Sequence, residues 1–486
     1  MLKALLFMPV LGALLLGLLP SRLVRWQWPL ALIFALLSAA LAGVLVWRFD
    51  VAGDPIQFFE SRAWNARLGS SFALGVDGIS VVMLMLTAGL TLAAVLISRN
   101  MARAGRLYYV LLMLLESAMF GVFSARDWSL FYVFWEATLL PLFFLIDRLG
   151  GENRQRAALN FFLYTLGGSV FMLVALLFLY DAAPGHSFAM LDMAEGGRSL
   201  SPGMQLLIFA GLFIGFAVKM PVVPLHGWLP LAHVEAPGPV SLLLSGVLLK
   251  MGAYGLIRAL ETLPLAFAQM QGWLALLGFV SLLYGALLSW RQQDLKAMVA
   301  YASIAHMGLV LLGIVTMNAN GLRGALLQMV AHGLAAGLLF LLVGALYERT
   351  HSRNLSDYAG VARQLPRYAV ALAFALLAAV GLPGSAGFIA EIHVLIGGWP
   401  LWSGWLVLLG VAMLVGAAAA LRVIGVCYRK DLPLSASVLA SRDMPLSERL
   451  AALGLALPIV VLGIWPQPLL SVLDHGVRQL IAQVAR

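Results

Sequence analysis

Between residues 2 and 465 the sequence returns about 14 times to an apolar stretch of about 20 residues, the length a helix needs to cross the hydrocarbon core of a bilayer. Lipid offers no partner for a backbone N–H or C=O, so each stretch must bond to itself as a helix. The expected spans are 2–20, 28–48, 74–98, 107–124, 128–147, 157–180, 203–220, 239–262, 272–290, 297–316, 321–346, 369–397, 402–428 and 447–465. No intervening segment is long enough for a separate soluble domain, so residues 1–486 read as one transmembrane domain. The fold class is all-α and polytopic. The opening segment MLKALLFMPVLGALLLGLLP has the apolarity of a signal peptide, but it lacks a small-residue cleavage site and runs into SRLVRWQ, so a retained first span is expected.

Composition fits and excludes. Of the 486 residues, 62% are hydrophobic and 11% charged, far from the balance of a soluble domain. The single cysteine, Cys427, excludes a disulfide framework and a cysteine-ligated metal or iron–sulfur site, and packing is its expected role. No Walker loop, dinucleotide-binding glycine fingerprint or HExxH helix occurs, so any redox cofactor is expected in another chain. The formal charge of +9 is scattered through short loops and carries topology rather than a nucleic-acid footprint. Arg22, Arg25, Arg99, Arg103, Arg106, Arg148, Arg154, Arg156, Arg291, Lys296, Arg349, Arg353, Arg363, Arg367, Arg429, Lys430, Arg442 and Arg449 fall on one side. The other side has fewer basic residues and holds Asp50, Asp54, Glu60, Asp181, Asp192 and Glu195. The basic side is expected to be cytoplasmic, with both termini facing outward.

The informative residues are those that oppose their surroundings. Glu116, in LLMLLESAMF, and Glu136, in FYVFWEATLLPLFF, lie on neighbouring spans joined near Arg126. Each is about ten residues from that turn, hence roughly 15 Å deep. Lys250 in SLLLSGVLLKMGAYG, His306 in YASIAHMGLV and His332 in LLQMVAHGLAAG are central in their spans. Glu391 follows the interruption GLPGSAG in its own helix. A charge at midplane costs about 2.5–3.5 kcal/mol, so a chain holding this many is expected to use them.

Lys219 opens KMPVVPLHGWLP, and Pro221 and Pro224 cannot continue the helical ladder beside it. Gly211, Gly215 and Lys219 share a face and admit a close neighbouring helix. The break at 381–387 repeats the device about 160 residues later, the pattern of an inverted-repeat transporter with ion sites beside its broken helices. Structural readings stand beside the functional ones. Lys219 can snorkel from a helix end. Glu116 can simply support Glu136. His306 and His332 can be hydrogen-bonded packing residues. His226 and His233 are expected in interfacial hydrogen bonds, and Asp77 and Asp294 at interfaces without a further role.

The ordered motifs KMPVVPLHGWLPLAHVEAP, LLLKMGAYGLIR, DLKAMVAYASIAHMGLVLLGI and GLPGSAGFIAEIHVL resemble the antiporter-like subunit M family of bacterial NADH:quinone oxidoreductase, respiratory complex I, whose mitochondrial counterpart is chain 4. The likeness runs over almost the whole chain. It implies 14 transmembrane helices and two inverted five-helix repeats, here about 107–262 and 272–428, with discontinuous seventh and twelfth helices. It makes Glu136 and Lys219 the coupled pair of a first half-channel and Lys250 the central proton carrier. Glu391 would serve the second half-channel, His306 and His332 would bridge the two, and Glu116 would be a further carboxylate. Glutamate on the twelfth helix favours subunit M, because sister subunits resemble it with lysine there. Pro239 departs from the family pattern and leaves the start of the eighth helix open.

The resemblance also implies that NADH, flavin, iron–sulfur clusters and quinone belong to partner subunits, that sister antiporter-like subunits and lipid surround the chain, and that it sits in a bacterial inner membrane. No nucleic-acid partner is expected. Three alternatives stand beside it: a subunit of a multisubunit cation/proton antiporter, a subunit of a membrane-bound hydrogenase or formate-oxidising complex, and a structural membrane subunit that moves no ions.

Overall fold

The computed structural model describes residues 1–101, 104–431 and 433–484. Arg103, counted above on the basic side, lies outside them. Helices α1 (Leu2–Gly17) and α2 (Gln27–Arg48) pack together ahead of an antiparallel hairpin of β1 (Gln57–Asn65) and β2 (Ser70–Val76). Helix α3 (Gly78–Ser98) follows. The hairpin departs from the all-helical expectation, and it delays the third span from residue 74 to Gly78. Its turn is built by Asn65, whose side chain accepts from the N–H groups of Arg67 and Leu68, and by Gly69 at φ +60°. Glu60 ties the hairpin to the chain start through Lys3 Nζ at 2.6 Å.

Five crossings come next. They are α4 (Arg106–Ser124), the jointed α5 (Trp128–Ala137) and α6 (Leu139–Leu149), α7 (Arg154–Ala182), the broken pair α9 (Pro202–Lys219) and α10 (Leu229–Glu235), and α11 (Gly238–Leu243) continuing into α12 (Leu249–Thr262). The short α8 (Met190–Ser199) lies in the loop before α9. The second five are α13 (Pro264–Arg291), α14 (Leu295–Val315), α15 (Ala319–Thr350), the broken pair α16 (Pro366–Ala379) and α17 (Ala386–Trp402), and α18 (Val407–Cys427). After α19 (Ala436–Leu439), α20 (Leu446–Ile464) makes a last crossing and α21 (Gln467–Val484) ends the chain. Among the described residues, 12 helices are long and apolar enough to cross a membrane. Counting α16 with the turns before it as one bent span brings the number to 13, against the expected 14, while α1 and α17 are apolar but shorter; the fold is that of a polytopic helical membrane protein with a broken helix in each half.

Helix α21 was not expected. It is amphipathic rather than apolar, and its Leu473, Val477 and Leu480 are buried. Gly78 admits it closely, since a Cβ there would meet Val472 O at 2.0 Å. Arg323 Nε donates to Asp474 at 2.5 Å and fixes α21 to α15.

Every residue of the α11–α12 crossing from Gly238 to Leu260 is buried, which places Lys250 in the middle of the protein. Pro239 resolves simply: it occupies the first turn of α11, where a proline costs no helical hydrogen bond. The turn Leu244–Leu248 widens to a π-helix just before Lys250, a distortion that recurs at functional sites because it releases carbonyls from the ladder.

Candidate functional site

Two helix irregularities create the first polar cluster. Pro141 has no N–H to continue the ladder, and α5 ends at Ala137 before α6 resumes at Leu139. Thr138, at the joint, donates its hydroxyl to Trp135 O at 2.8 Å. Opposite it, α9 stops at Lys219, whose Nζ donates to Thr138 Oγ1 at 2.9 Å and to Trp135 O at 3.3 Å. The same ammonium lies 4.1 Å from the Trp135 ring centroid. Lys219 is 1% exposed, so it does not snorkel to water. Glu136 lies within electrostatic range of Lys219, but no ion pair within 4 Å joins them; one carboxylate oxygen of Glu136 is buried without a partner. Thr138 is thus a ligand of the lysine that sequence reading missed.

The break beyond Lys219 is held open by side chains. Trp228 Nε1 donates to Val218 O at 2.8 Å, and Ser281 Oγ accepts from Val223 N at 3.0 Å, so backbone groups that Pro221 and Pro224 strand are bonded by neighbours. Gly211 and Gly215 let α9 lie against α7, where an added Cβ would meet Ala175 at 3.0 Å and Met172 at 2.8 Å. Gly252 does the same for α12, with Phe216 O 2.6 Å from the Cβ it lacks. These close approaches bring the Lys219 and Lys250 helices together.

Lys250 is fully buried. Its Nζ reaches Ser245 O, a carbonyl of the π-helical turn, at 2.5 Å, and His332 Nδ1 at 2.6 Å. With an ammonium as donor, the ring proton of His332 sits on Nε2, which has no partner among the described residues. The rings of His332 and His306 are 5.2 Å apart, and His306 Nδ1 pairs with Gln328 Nε2 at 2.9 Å. A cavity of about 20 Å³ touches both histidines, and a second of about 80 Å³ is lined by His306 at one end and Glu391 at another. One water needs roughly 10–15 Å³ and two or more polar partners, so both cavities have room for water while the polar groups bordering the larger one are Ser289, His306 and Glu391. Lys250, His332 and His306 thus stand in succession, and His306 shares with Glu391 a cavity whose lining is mostly apolar.

Glu391 is 4% exposed and rests against the second break. Gly381, at φ +69°, has its missing Cβ position only 2.1 Å from Glu391 Oε2. Helix α15 is held against α17 at Gly324, where a Cβ would lie 2.5 Å from Val394 N.

Comparison with known proteins decides the family. Residues 125–416 match the family model described as NADH:quinone oxidoreductase/Mrp antiporter, TM. The chain is 35% identical to NADH-quinone oxidoreductase subunit M of Rickettsia conorii over 484 residues, covering 98% of each chain. The chain belongs to this family. It is 41% identical to an NAD(P)H-quinone oxidoreductase chain 4 of Thermosynechococcus vestitus over 401 residues, 82% of this chain and 74% of that one. A chain of respiratory complex I from Thermus thermophilus, solved with bound NADH, superposes with a TM-score of 0.91 at 31% identity, covering 100% of both. A chain of the Mrp complex from Dietzia shares the fold, with a TM-score of 0.88 at 20% identity. The protein is an antiporter-like membrane subunit of the complex I type.

Other features of this subunit depart from expectation. Glu116 is buried with neither oxygen hydrogen-bonded, and the Ser38 hydroxyl of α2 lies in its range; it does not join the Lys219 cluster through any bond among the described residues. The His233 ring makes no hydrogen bond among the described residues: both its nitrogens are buried and the ring stacks on Phe340 at 4.4 Å. His226 has a buried Nδ1 without a close partner among the described residues, yet its ring interacts with the Pro224 backbone and sits edge-on to Tyr284 at 4.9 Å. The apolar partners are contributed by distant helices, which local sequence does not reveal. Asp294 caps α14 through Ala297 N and pairs with Arg353 at 3.1 Å, as an interfacial residue should. Asp77 does more. Its Oδ2 lies 2.6 Å from Arg258 and 3.2 Å from Arg126, inside the protein. Burial alone would raise its carboxyl, but these guanidiniums hold it well below the usual carboxylate range.

Proposed function

We propose that this subunit moves protons across the membrane, driven by redox chemistry in partner subunits of an NADH:quinone oxidoreductase. Two units, about 107–262 and 272–428, each supply a half-channel. Glu136 and Lys219 serve the first, Lys250 is the central carrier, His332 and His306 relay, and Glu391 serves the second, with Glu116 as a further carboxylate. The observation that carries the reading is the 2.6 Å contact of Lys250 with His332 and its continuation through His306 to the cavity that Glu391 lines.

The jointed α5–α6 crossing supplies the trigger. Lys219 now binds Trp135 O and Thr138, the residue before Glu136 and the second residue after it. Bringing the Glu136 carboxylate onto the ammonium, or withdrawing it, changes how tightly Lys219 holds its proton. A tenfold change in proton affinity is about 1.36 kcal/mol, and one charge crossing 100 mV costs about 2.3 kcal/mol. A change of about two orders of magnitude at the pair therefore suffices for a step against the membrane potential.

In this reading NADH, flavin, iron–sulfur clusters and quinone are bound by partner subunits, and this chain contacts other membrane subunits, sister antiporter-like chains among them. The basic side faces the cytoplasm of a bacterial inner membrane and both termini face the periplasm. The test is proton pumping and NADH:quinone turnover in membranes carrying Glu136→Gln beside Glu136→Asp, with assembly verified. Loss of both activities in Gln and retention in Asp supports the carboxylate role. Unchanged pumping in Gln removes Glu136 and Lys219 from the path.

A further inference from the structure

Helix α12 carries Lys250, Tyr254 and Arg258 at intervals of four, so the three share one face. At 1.5 Å per residue Tyr254 and Arg258 lie about 6 and 12 Å from Lys250 toward the acidic side. The Tyr254 hydroxyl is 3.0 Å from Ser80 Oγ and 3.1 Å from Arg258. Beyond them opens a cavity of about 680 Å³, whose wall includes Asp77, Arg126 and Arg258 together with Asp192, Glu195 and Glu261. Tyr254 and Ser80 do not reach that wall. The three charged residues stand between them and it, so a row of polar groups on one helix face runs from the central lysine almost to the acidic side and stops there; among the described residues no bond joins Lys250 to Tyr254, whose hydroxyl also donates to Phe123 O at 3.2 Å.

What stops it is chemically specific. Asp77 Oδ1 accepts from Ile79 N at 3.1 Å and Ser80 N at 2.9 Å, while Oδ2 accepts from Arg258 at 2.6 Å and faces Arg126 at 3.2 Å. Arg126 also donates to Gly75 O at 3.2 Å, and Arg258 to Glu261 at 2.7 Å. The carboxylate has no free acceptor for a proton, and a guanidinium does not give one up. Fixed arginine charge in a narrow passage also repels an arriving cation. Every group at the end of the row is thus unable to relay.

We propose that Asp77, Arg126 and Arg258 form a closure that prevents Lys250 from exchanging protons directly with the acidic side. This rests on the reading of Lys250 as a proton carrier. The closure makes the longer route through His332, His306 and Glu391 the one available, and these three residues position and seal rather than carry.

The test uses the whole complex in sealed vesicles without turnover and follows the collapse of an imposed pH gradient. Arg258→Gln releases one acceptor site of Asp77 beside Ser80 and Tyr254, and the gradient should collapse severalfold faster than in wild type. Arg258→Gln/Asp77→Asn, which removes the titratable carboxyl, and Arg258→Gln/Lys250→Met, which removes the carrier, should both restore tightness. A merely structural cluster would leave the doubles as leaky as the single or worse. If Arg258→Gln does not assemble, Arg126→Gln frees the same carboxylate oxygen and carries the same expectations. An assembled, tight single variant overturns the closure, as does a leak that survives either second substitution. Pumping retained in Lys250→Met alone would instead overturn the proton-path reading.

Discussion

Replacing Gly381 with alanine isolates the contact between the second helix break and Glu391. Two penalties arise. At φ +69° an alanine backbone is strained, by about 1–3 kcal/mol. The new Cβ would also stand 2.1 Å from Glu391 Oε2, and ordinary contact begins at 3.4 Å, so the carboxylate must leave its place at the wall of the cavity it shares with His306. Gly384 provides the control. It has φ +93° and nothing within 4 Å of its missing Cβ, so Gly384→Ala bears backbone strain without touching the carboxylate. Both variants should lower the thermal stability of the assembled complex. Proton pumping per NADH oxidised, measured in inverted membranes with subunit content verified, should fall in Gly381→Ala and hold near wild type in Gly384→Ala. Equal pumping in the two variants would refute the link between the placement of Glu391 and transport.

Two further outcomes are expected. Trp228→Phe keeps most of a side chain that is 1% exposed but removes the indole N–H from Val218 O, leaving that carbonyl unpaired at a cost of about 1–3 kcal/mol; the unfolding midpoint of the complex should drop, and an unchanged midpoint would show that the break does not depend on this bond. The Asp77 carboxyl is held below its unfolded value, so its ion pairs contribute fully above about pH 3.9 and are lost only as the pH falls through the lower folded value. Thermal melts between about pH 8 and pH 5 should accordingly show no acid-induced weakening from the hairpin–α3–α12 junction in wild type, and loss of protection of the α3 amide protons in that range would contradict the assignment.

The sequence carried the architecture because lipid-crossing helices announce themselves by length and apolarity, and because Pro221, Pro224 and GLPGSAG mark the two breaks directly. It also located Lys219, Lys250, Glu391, His306 and His332, since a charge or imidazole in an apolar run contrasts with its neighbours. It could not say which of these touch. The 2.6 Å approach of Lys250 to His332 depends on a π-helical turn that has no strong local signature, and Pro141 marks the joint at Thr138 without showing that Lys219 lies opposite it. Strand 57–65 escaped because its apolar residues are interrupted by Glu60 and Arg62, strand 70–76 because its short apolar end merges with the third span, and α21 because its apolar residues form a stripe rather than a run. In the sequence Asp77 reads as an ordinary interfacial residue because Arg258 is 181 positions away and Arg126 sits in the turn between α4 and α5. The missing signal was available in part: Arg258 lies two turns beyond Lys250 on the same helix face, and so long a charge next to the central crossing asks for a buried partner.

The central claim is that protons cross through Lys250 and its histidine neighbours. The measurement that tests it most directly is the number of protons moved per NADH oxidised in membranes carrying Lys250→Met, with full assembly confirmed. Proton movement through this subunit should be lost, and turnover coupled to it should fall with it. A complex that assembles, turns over and moves protons in the wild-type ratio without the Lys250 ammonium would contradict it.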